Sequence, residues 1–213
     1  MNTYEKSART IAGILLDYQA VDISLDKPYT WASGIKSPIY CDNRLLIGIV
    51  EARKAIVNAF CDLIDEKMGN YDYLAGTATA GIPWAAFLAE KLNKPMVYVR
   101  SGAKEHGKGK QIEGKMPEGR KVVLVEDLIS TGGSSMNAVS ALENEGKVKV
   151  VSIVSIMNYR LRQALELFEK ENRAVWSLTD IDIVLEPARK SGKVESIEQI
   201  LDFQNDPDNW AKK

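Results

Sequence analysis

Glu126 and Asp127 stand side by side at the end of an apolar run, 122–125, and Thr131, Gly132, Gly133, Ser134 and Ser135 follow closely. Paired carboxylates suit vicinal sugar hydroxyls, for which they are acceptors, and Mg²⁺, a hard cation that takes oxygen ligands. The turn after them suits a different group. Its glycines let backbone approach a ligand closely, and its amides, with the N-terminus of a following helix, make a cradle for a phosphate. Carboxylates would repel a phosphate, so the two halves must grip different parts of one ligand. A ribose with a phosphate on its adjacent carbon fits both. No Lys follows the glycines as in a Walker loop, and Gly-x-Gly-x-x-Gly is absent, so nucleoside triphosphate and dinucleotide readings lose their main support.

A second cluster is basic. Arg100, Lys104, His106, Lys108 and Lys110 lie close together, with Glu105 the one acid among them, in a polar stretch over 101–119 that is rich in Gly and Lys. Loops of this length inside a compact domain are usually functional or disordered, and one that interrupts two well-formed strands favours a functional loop. Such a loop can meet a polyanion, and the chain's single His could donate to a leaving oxygen. A third segment, 76–83, has side chains that are all small up to Gly81, which opens the backbone to a ligand. A fourth, 29–44, mixes hydroxyls and amides with aromatic residues around Gly34, a composition fit for a flat polar heterocycle. Cys41 falls where it would line such a pocket. It has no adjacent His and does not read as a nucleophile.

The elements that must position these residues alternate in type. Helices are expected over 4–18, 50–68, 83–92, 134–145, 161–171 and 197–203, and strands over 73–76, 96–100, 122–125, 148–157 and 181–185. The continuous apolar run at 122–125 predicts a strand buried on both faces. The segment 29–44 reads as two short extended pieces around a Gly turn. The rhythm predicts an α/β fold with a central, mainly parallel sheet flanked by helices. In such sheets ligands bind beyond the carboxyl ends of the strands, which is where the Glu126–Ser135 turn falls.

Composition narrows the classes. The chain has 213 residues, 45% apolar and 27% charged, enough to bury a core without a disulfide or structural metal. A formal net charge of −1 argues against a general nucleic-acid binder. Two cysteines, no Cys-x-x-Cys, no signal-type N-terminus and no long apolar run lead to the expectation of a cytoplasmic protein without a membrane span.

The stretch Lys121 to Ser135 resembles the phosphoribosyl pyrophosphate signature of type I phosphoribosyltransferases: a hydrophobic strand, two acids, then a Thr/Gly-rich loop. Arg100, Lys104, His106 and Gly107 resemble the catalytic loop of the orotate phosphoribosyltransferases, and the run Ser33, Gly34, Ser37, Pro38 resembles their hood over the base. The resemblance implies a single domain over 1–213, with 1–45 and the C-terminal tail as a hood over the base site. It implies transfer of a phosphoribosyl group from phosphoribosyl pyrophosphate to orotate, with Mg²⁺, in a homodimer whose loop 100–110 is shared between subunits. By the same resemblance Arg100, Lys104, His106, Glu126 and Asp127 are catalytic. Substrate would be held by Glu126, Asp127, Leu128, Ile129, Ser130, Thr131, Gly132, Gly133 and Ser134 and by Ser33, Gly34 and Lys36, with Ser130 touching the pyrimidine. Arg160, after a strand end, is a candidate partner for the orotate carboxylate. Two departures stand out: Ser101 and Ala80 occupy positions where family members carry Lys. The alternatives are a phosphoribosyltransferase for another base and a non-catalytic sensor of phosphoribosyl pyrophosphate that binds DNA, for which the chain lacks an added DNA-binding segment and a basic face.

Overall fold

Val122, Val123, Leu124 and Val125 are completely buried, as a strand covered on both faces must be. They belong to the middle of a six-stranded sheet. A computed structural model describes residues 3–31, 34–102, 110–192 and 197–212. In chain order the elements are α1 (Thr3–Asp17), β1 (Val21–Ile23), β2 (Tyr29–Thr30), β3 (Lys36–Ser37), β4 (Ile39–Cys41), a 3₁₀ turn (Asn43–Gly48), α2 (Val50–Lys67), β5 (Tyr73–Thr77), α3 (Gly81–Leu92), β6 (Met96–Val99), β7 (Ile112–Glu113), β8 (Lys121–Ile129), α4 (Gly133–Ser140), β9 (Lys149–Asn158), α5 (Arg162–Lys170), β10 (Val175–Asp180), α6 (Ile181–Lys190), α7 (Glu198–Asn205) and a closing 3₁₀ turn (Trp210–Lys212).

The sheet order is β10-β9-β8-β5-β6-β7. All pairs are parallel except β6 with β7. From β5 the chain moves outward to β6, and from β8 it moves the other way to β9. The strand order therefore reverses between β5 and β8, which makes the carboxyl ends of these two neighbours the switch point where open α/β sheets bind ligands. The β5–α3 turn is seated tightly there. A Cβ on Gly81 would stand 2.4 Å from the Val125 carbonyl oxygen, so only glycine lets this turn close onto β8. The small residues of 76–81 thus have a packing reason besides the ligand access expected of them.

Three expectations need correction. Residues 181–185 are not a strand but the start of α6, and the last strand is β10, parallel to β9. Ile181, Val184 and Leu185 are buried at helical spacing, and the Asp180 carboxylate caps the helix by accepting from the Ile183 amide at 3.1 Å. A short apolar run does not distinguish the two conformations. The polar stretch 101–119 is not wholly irregular, because Ile112–Glu113 returns along β6 as β7. The helix expected over 134–145 is α-helical only to Ser140 and continues as a π-helical turn over Ala141–Glu145.

The N-terminal segment forms two small antiparallel pairs, β1 with β4 and β2 with β3, the latter turning at Gly34 with φ +87°. Its anchor is aromatic. Trp31 stacks on Tyr159 at 5.1 Å between ring centroids and 13° between planes, Phe203 meets Trp31 edge-on at 5.5 Å, and Trp210 meets Phe203 at 5.7 Å. These rings join the β2–β3 hairpin to the end of β9 and to α7. Among the described residues no helix is long and apolar enough to cross a membrane.

Candidate active site

β8 outruns its neighbour. Its pairing with β5 ends at Gly76 and Val125, while pairing with β9 continues to Ile129 and Asn158. Beyond Val125 the open edge is closed by a side chain from the N-terminal segment: Asn43, wholly buried, donates from Nδ2 to the Asp127 carbonyl at 2.7 Å. The acid pair is thus held on both edges, by β9 and by Asn43.

The two acids differ from the sequence expectation and from each other. Carboxylates that both grip a sugar would both face the ligand, but Glu126 is only 3% exposed. A buried carboxyl needs donors, and Ser135 supplies one at 2.8 Å with Ser134 at 3.4 Å. The Ser135 hydroxyl therefore turns inward to Glu126 and not outward to a ligand. Burial pushes the Glu126 carboxyl up to about 7, with the Asp127 charge adding to the rise and the Ser135 bond opposing it. Asp127 is half-buried. Burial raises it to about 6, against the pull of the backbone amides at Asp127 and Leu128 and of Arg44. Arg44 itself is held by a two-pronged bond to Asp42, at 2.6 and 2.8 Å.

After Ile129 the chain enters the turn Ser130–Gly132. Gly132 has φ +80° and lies against the Phe168 ring, so this bend needs glycine twice over, for conformation and for space. α4 follows with no side chain capping its N-terminus. Its first amides are unpaired within the helix and add the positive end of its dipole. Thr131, Gly133 and Ser134 surround this end, and Gly133 and Ser134 are exposed. The geometry is that of an anion cradle adjoining two carboxyls.

Beside the end of β8 lies a cavity of about 430 Å³ lined by Thr30, Trp31, Tyr40, Cys41, Leu128, Ser130 and Tyr159. Its lining combines three aromatic side chains with the hydroxyls of Thr30 and Ser130. Ser130 and Leu128 line it, and Cys41 does too. The Cys41 thiol is pushed far up by burial, so it stays protonated. Ile129 points into the core, and its carbonyl accepts from the Tyr159 amide at 3.0 Å. Gly34 sits in the hairpin turn, its amide donating to the Trp31 carbonyl, and Lys36 reaches the Thr30 hydroxyl at 2.6 Å. Arg160 does not line this cavity. It turns away at φ +52° and pairs with Asp180 and Asp182, each at 3.2 Å.

Arg100 stands just past β6 at the same sheet end, 3.6 Å from the Glu113 carboxylate. In the β5–α3 turn the Ala78–Thr79 peptide is cis. Ser33, Lys104, His106 and Lys108 lie outside the described residues. Two residues escaped the sequence reading, Asn43 and Tyr159. Tyr159 could have been suspected from its place directly after the long apolar run of β9. Nothing in the sequence marks Asn43 as a partner of Asp127.

A phosphoribosyl transferase domain model matches residues 48–182. The chain is 48% identical over 206 residues, covering 96% of it and 98% of the relative, to "Orotate phosphoribosyltransferase" of Listeria monocytogenes serotype 4b (strain F2365). The chain belongs to the orotate phosphoribosyltransferase family. A second family relative, from Staphylococcus haemolyticus (strain JCSC1435), is 51% identical over 187 residues, covering 88% of this chain and 92% of the relative. Among solved structures, orotate phosphoribosyltransferase from Aeropyrum pernix matches with a TM-score of 0.73 and 29% identity, over 84% of this chain and 98% of that one. The type I phosphoribosyltransferase fold and a transferase assignment follow for this member of the family.

Proposed function

We infer that the protein transfers the phosphoribosyl group of phosphoribosyl pyrophosphate to orotate, giving orotidine 5′-phosphate and pyrophosphate in the synthesis of UMP. The observation that carries this reading is the juxtaposition on β8. The carboxyls of Glu126 and Asp127, the uncapped start of α4 and the aromatic-walled cavity meet at one switch point, offering places for a ribose, its 5′-phosphate and a flat base. A structure of the Mycobacterium tuberculosis orotate phosphoribosyltransferase in complex with 5-phospho-alpha-D-ribosyl 1-diphosphate shares this fold at a TM-score of 0.65.

In the proposed reaction a ring nitrogen of orotate bonds to the anomeric carbon as the bond to the pyrophosphate oxygen breaks. The attacking nitrogen gives up its proton as it bonds, and the departing pyrophosphate, a polyanion, takes it directly or through water, so no strong protein base is needed. The barrier lies in an electron-poor ribose and a departing polyanion. Asp127 and Glu126 accept from the ribose hydroxyls and favour its growing positive charge, and Arg100, Lys104 and His106 neutralise pyrophosphate. Ser130, with backbone around Gly34 and Lys36, holds the base against the side chains of Trp31, Tyr40 and Tyr159.

Among the described residues no cluster of three or more acidic, His or Cys side chains could cage a metal. The donor set instead fits Mg²⁺ arriving on the diphosphate, where one or two carboxylates complete its oxygen ligands. Glu126 and Asp127 are the residues that would hold it, and it would supply positive charge to the departing pyrophosphate. We further propose a cytoplasmic homodimer in which loop 100–110 serves the neighbouring subunit, and a hood over the base formed by 1–45 and the C-terminal tail. The test is the fall in orotate absorbance on adding phosphoribosyl pyrophosphate, with and without Mg²⁺, and with uracil, adenine and hypoxanthine as competitors. Turnover of one of these bases in preference to orotate would overturn the assignment.

A further inference from the structure

The segment that begins at Arg100 is fastened at its root to the same helix that builds the phosphate cradle. At its return, the Glu145 carboxylate accepts from two consecutive amides, Gln111 at 3.0 Å and Ile112 at 3.3 Å. Those residues hold Arg100 in turn. The Arg100 amide donates to the Gln111 carbonyl at 3.0 Å, the Gln111 side chain donates to the Arg100 carbonyl at 3.2 Å, and Glu113 faces the guanidinium. On the outgoing side Asn137, on α4, donates to the Ser101 carbonyl at 3.1 Å.

Glu145 reaches this place because of the π-helical turn. Such turns are uncommon and shift the side chains beyond them relative to a regular α-helix. The turn is fixed from behind by Glu143, which takes a two-pronged bond from Arg173 at 2.7 Å on each arm. Ile112 then lies flat on Gly146, where a Cβ would stand 2.6 Å from the Leu142 carbonyl and 2.8 Å from Ile112 Cδ1. One end of this helical unit therefore cradles phosphate while the other sets the root of the Arg100 segment.

The geometry points to Glu145 as a positioning residue that aligns Arg100 with the pyrophosphate end of the substrate. The assignment rests on the reading of Arg100 as a pyrophosphate contact. Two carboxylate oxygens are needed for two amides. A glutamine offers one acceptor and turns an NH₂ toward the other donor, so Glu145→Gln breaks the clasp with little change in volume. Gly146→Ala disturbs the same contact by a different route, lifting Ile112.

The experiment is steady-state kinetics in both directions for Glu145→Gln, Gly146→Ala, Arg100→Ala and the Arg100→Ala/Glu145→Gln double variant, each checked by thermal melting. Glu145→Gln and Gly146→Ala are expected to raise KM for phosphoribosyl pyrophosphate and pyrophosphate by about five-fold or more, leaving KM for orotate and orotidine 5′-phosphate within about two-fold. The double variant is expected to match Arg100→Ala alone, because a residue acting through Arg100 has nothing left to align. An impaired Arg100→Ala with a normal Glu145→Gln, or losses that multiply in the double variant, would overturn the proposal and leave the role of Arg100 standing. A normal Arg100→Ala would remove that role and the proposal with it. A uniform rise in all four KM values with a lowered melting point would reduce Glu145 to a structural part.

Discussion

Asn43 Nδ2 and the Asp127 carbonyl oxygen, 84 positions apart in sequence, lie 2.7 Å apart in a hydrogen bond whose donor residue is wholly buried. The bond ties the N-terminal segment to the strand end that carries the acids. Removing the amide leaves the Asp127 carbonyl without this partner in the interior, at a cost of about 1–3 kcal/mol. Asn43→Ala is therefore expected to lower the melting temperature and to raise KM for phosphoribosyl pyrophosphate. Unchanged values of both would show that the bond does not steady Asp127.

Asp127→Asn keeps the shape of the side chain and removes its charge. Turnover is expected to fall more than about ten-fold, since a charged acceptor on the ribose stabilises the developing cation. The melting curve should not fall, because burial already disfavours the charged form. Lys104→Ala should show a comparable loss. Near-normal rates for both variants would contradict these roles.

The raised Glu126 carboxyl predicts a pH signature in stability. Its folded value of about 7 lies above its ordinary value of 4.5, so the folded state holds the proton more tightly than the unfolded chain. Its contribution is complete below pH 4.5 and is lost as pH rises to 7. Glu126→Gln cannot ionise. The melting temperature of the variant minus that of the parent should therefore grow more positive by roughly 5–10 °C between pH 5 and 8. A difference independent of pH would show that the carboxyl titrates normally.

The same group predicts proton release. Ribose hydroxyls that donate to Glu126 favour its charged form, so binding of phosphoribosyl pyrophosphate near pH 7 should expel protons. Calorimetry in buffers of different ionisation heat measures this. Proton uptake on binding would place the ribose elsewhere.

Ser130 lines the aromatic-walled cavity at the end of β8. Ser130→Ala should raise KM for orotate by about three- to ten-fold while KM for phosphoribosyl pyrophosphate stays near normal, a loss of about 0.7–1.4 kcal/mol, as one neutral hydrogen bond gives. Equal effects on both substrates would argue against a base contact.

The central strand and its signature could be read from residue order alone. Four consecutive apolar residues followed by two acids and a glycine turn are a local pattern, and local pattern decides where a buried parallel strand ends and a phosphate-type turn begins. The alternation of helix and strand, the hairpin at Gly34 and the packing helices followed in the same way. The 181–185 segment did not, because a short apolar run satisfies a strand and a helix equally until Asp180 caps the latter. The inward turn of Ser135, the burial that lifts Glu126, the Trp31–Tyr159 stack and the reach of Asn43 to Asp127 were decided only by the fold. Each depends on which distant segments close over one strand end, and desolvation and hydrogen-bond satisfaction arise from that three-dimensional neighbourhood, which no stretch of sequence contains.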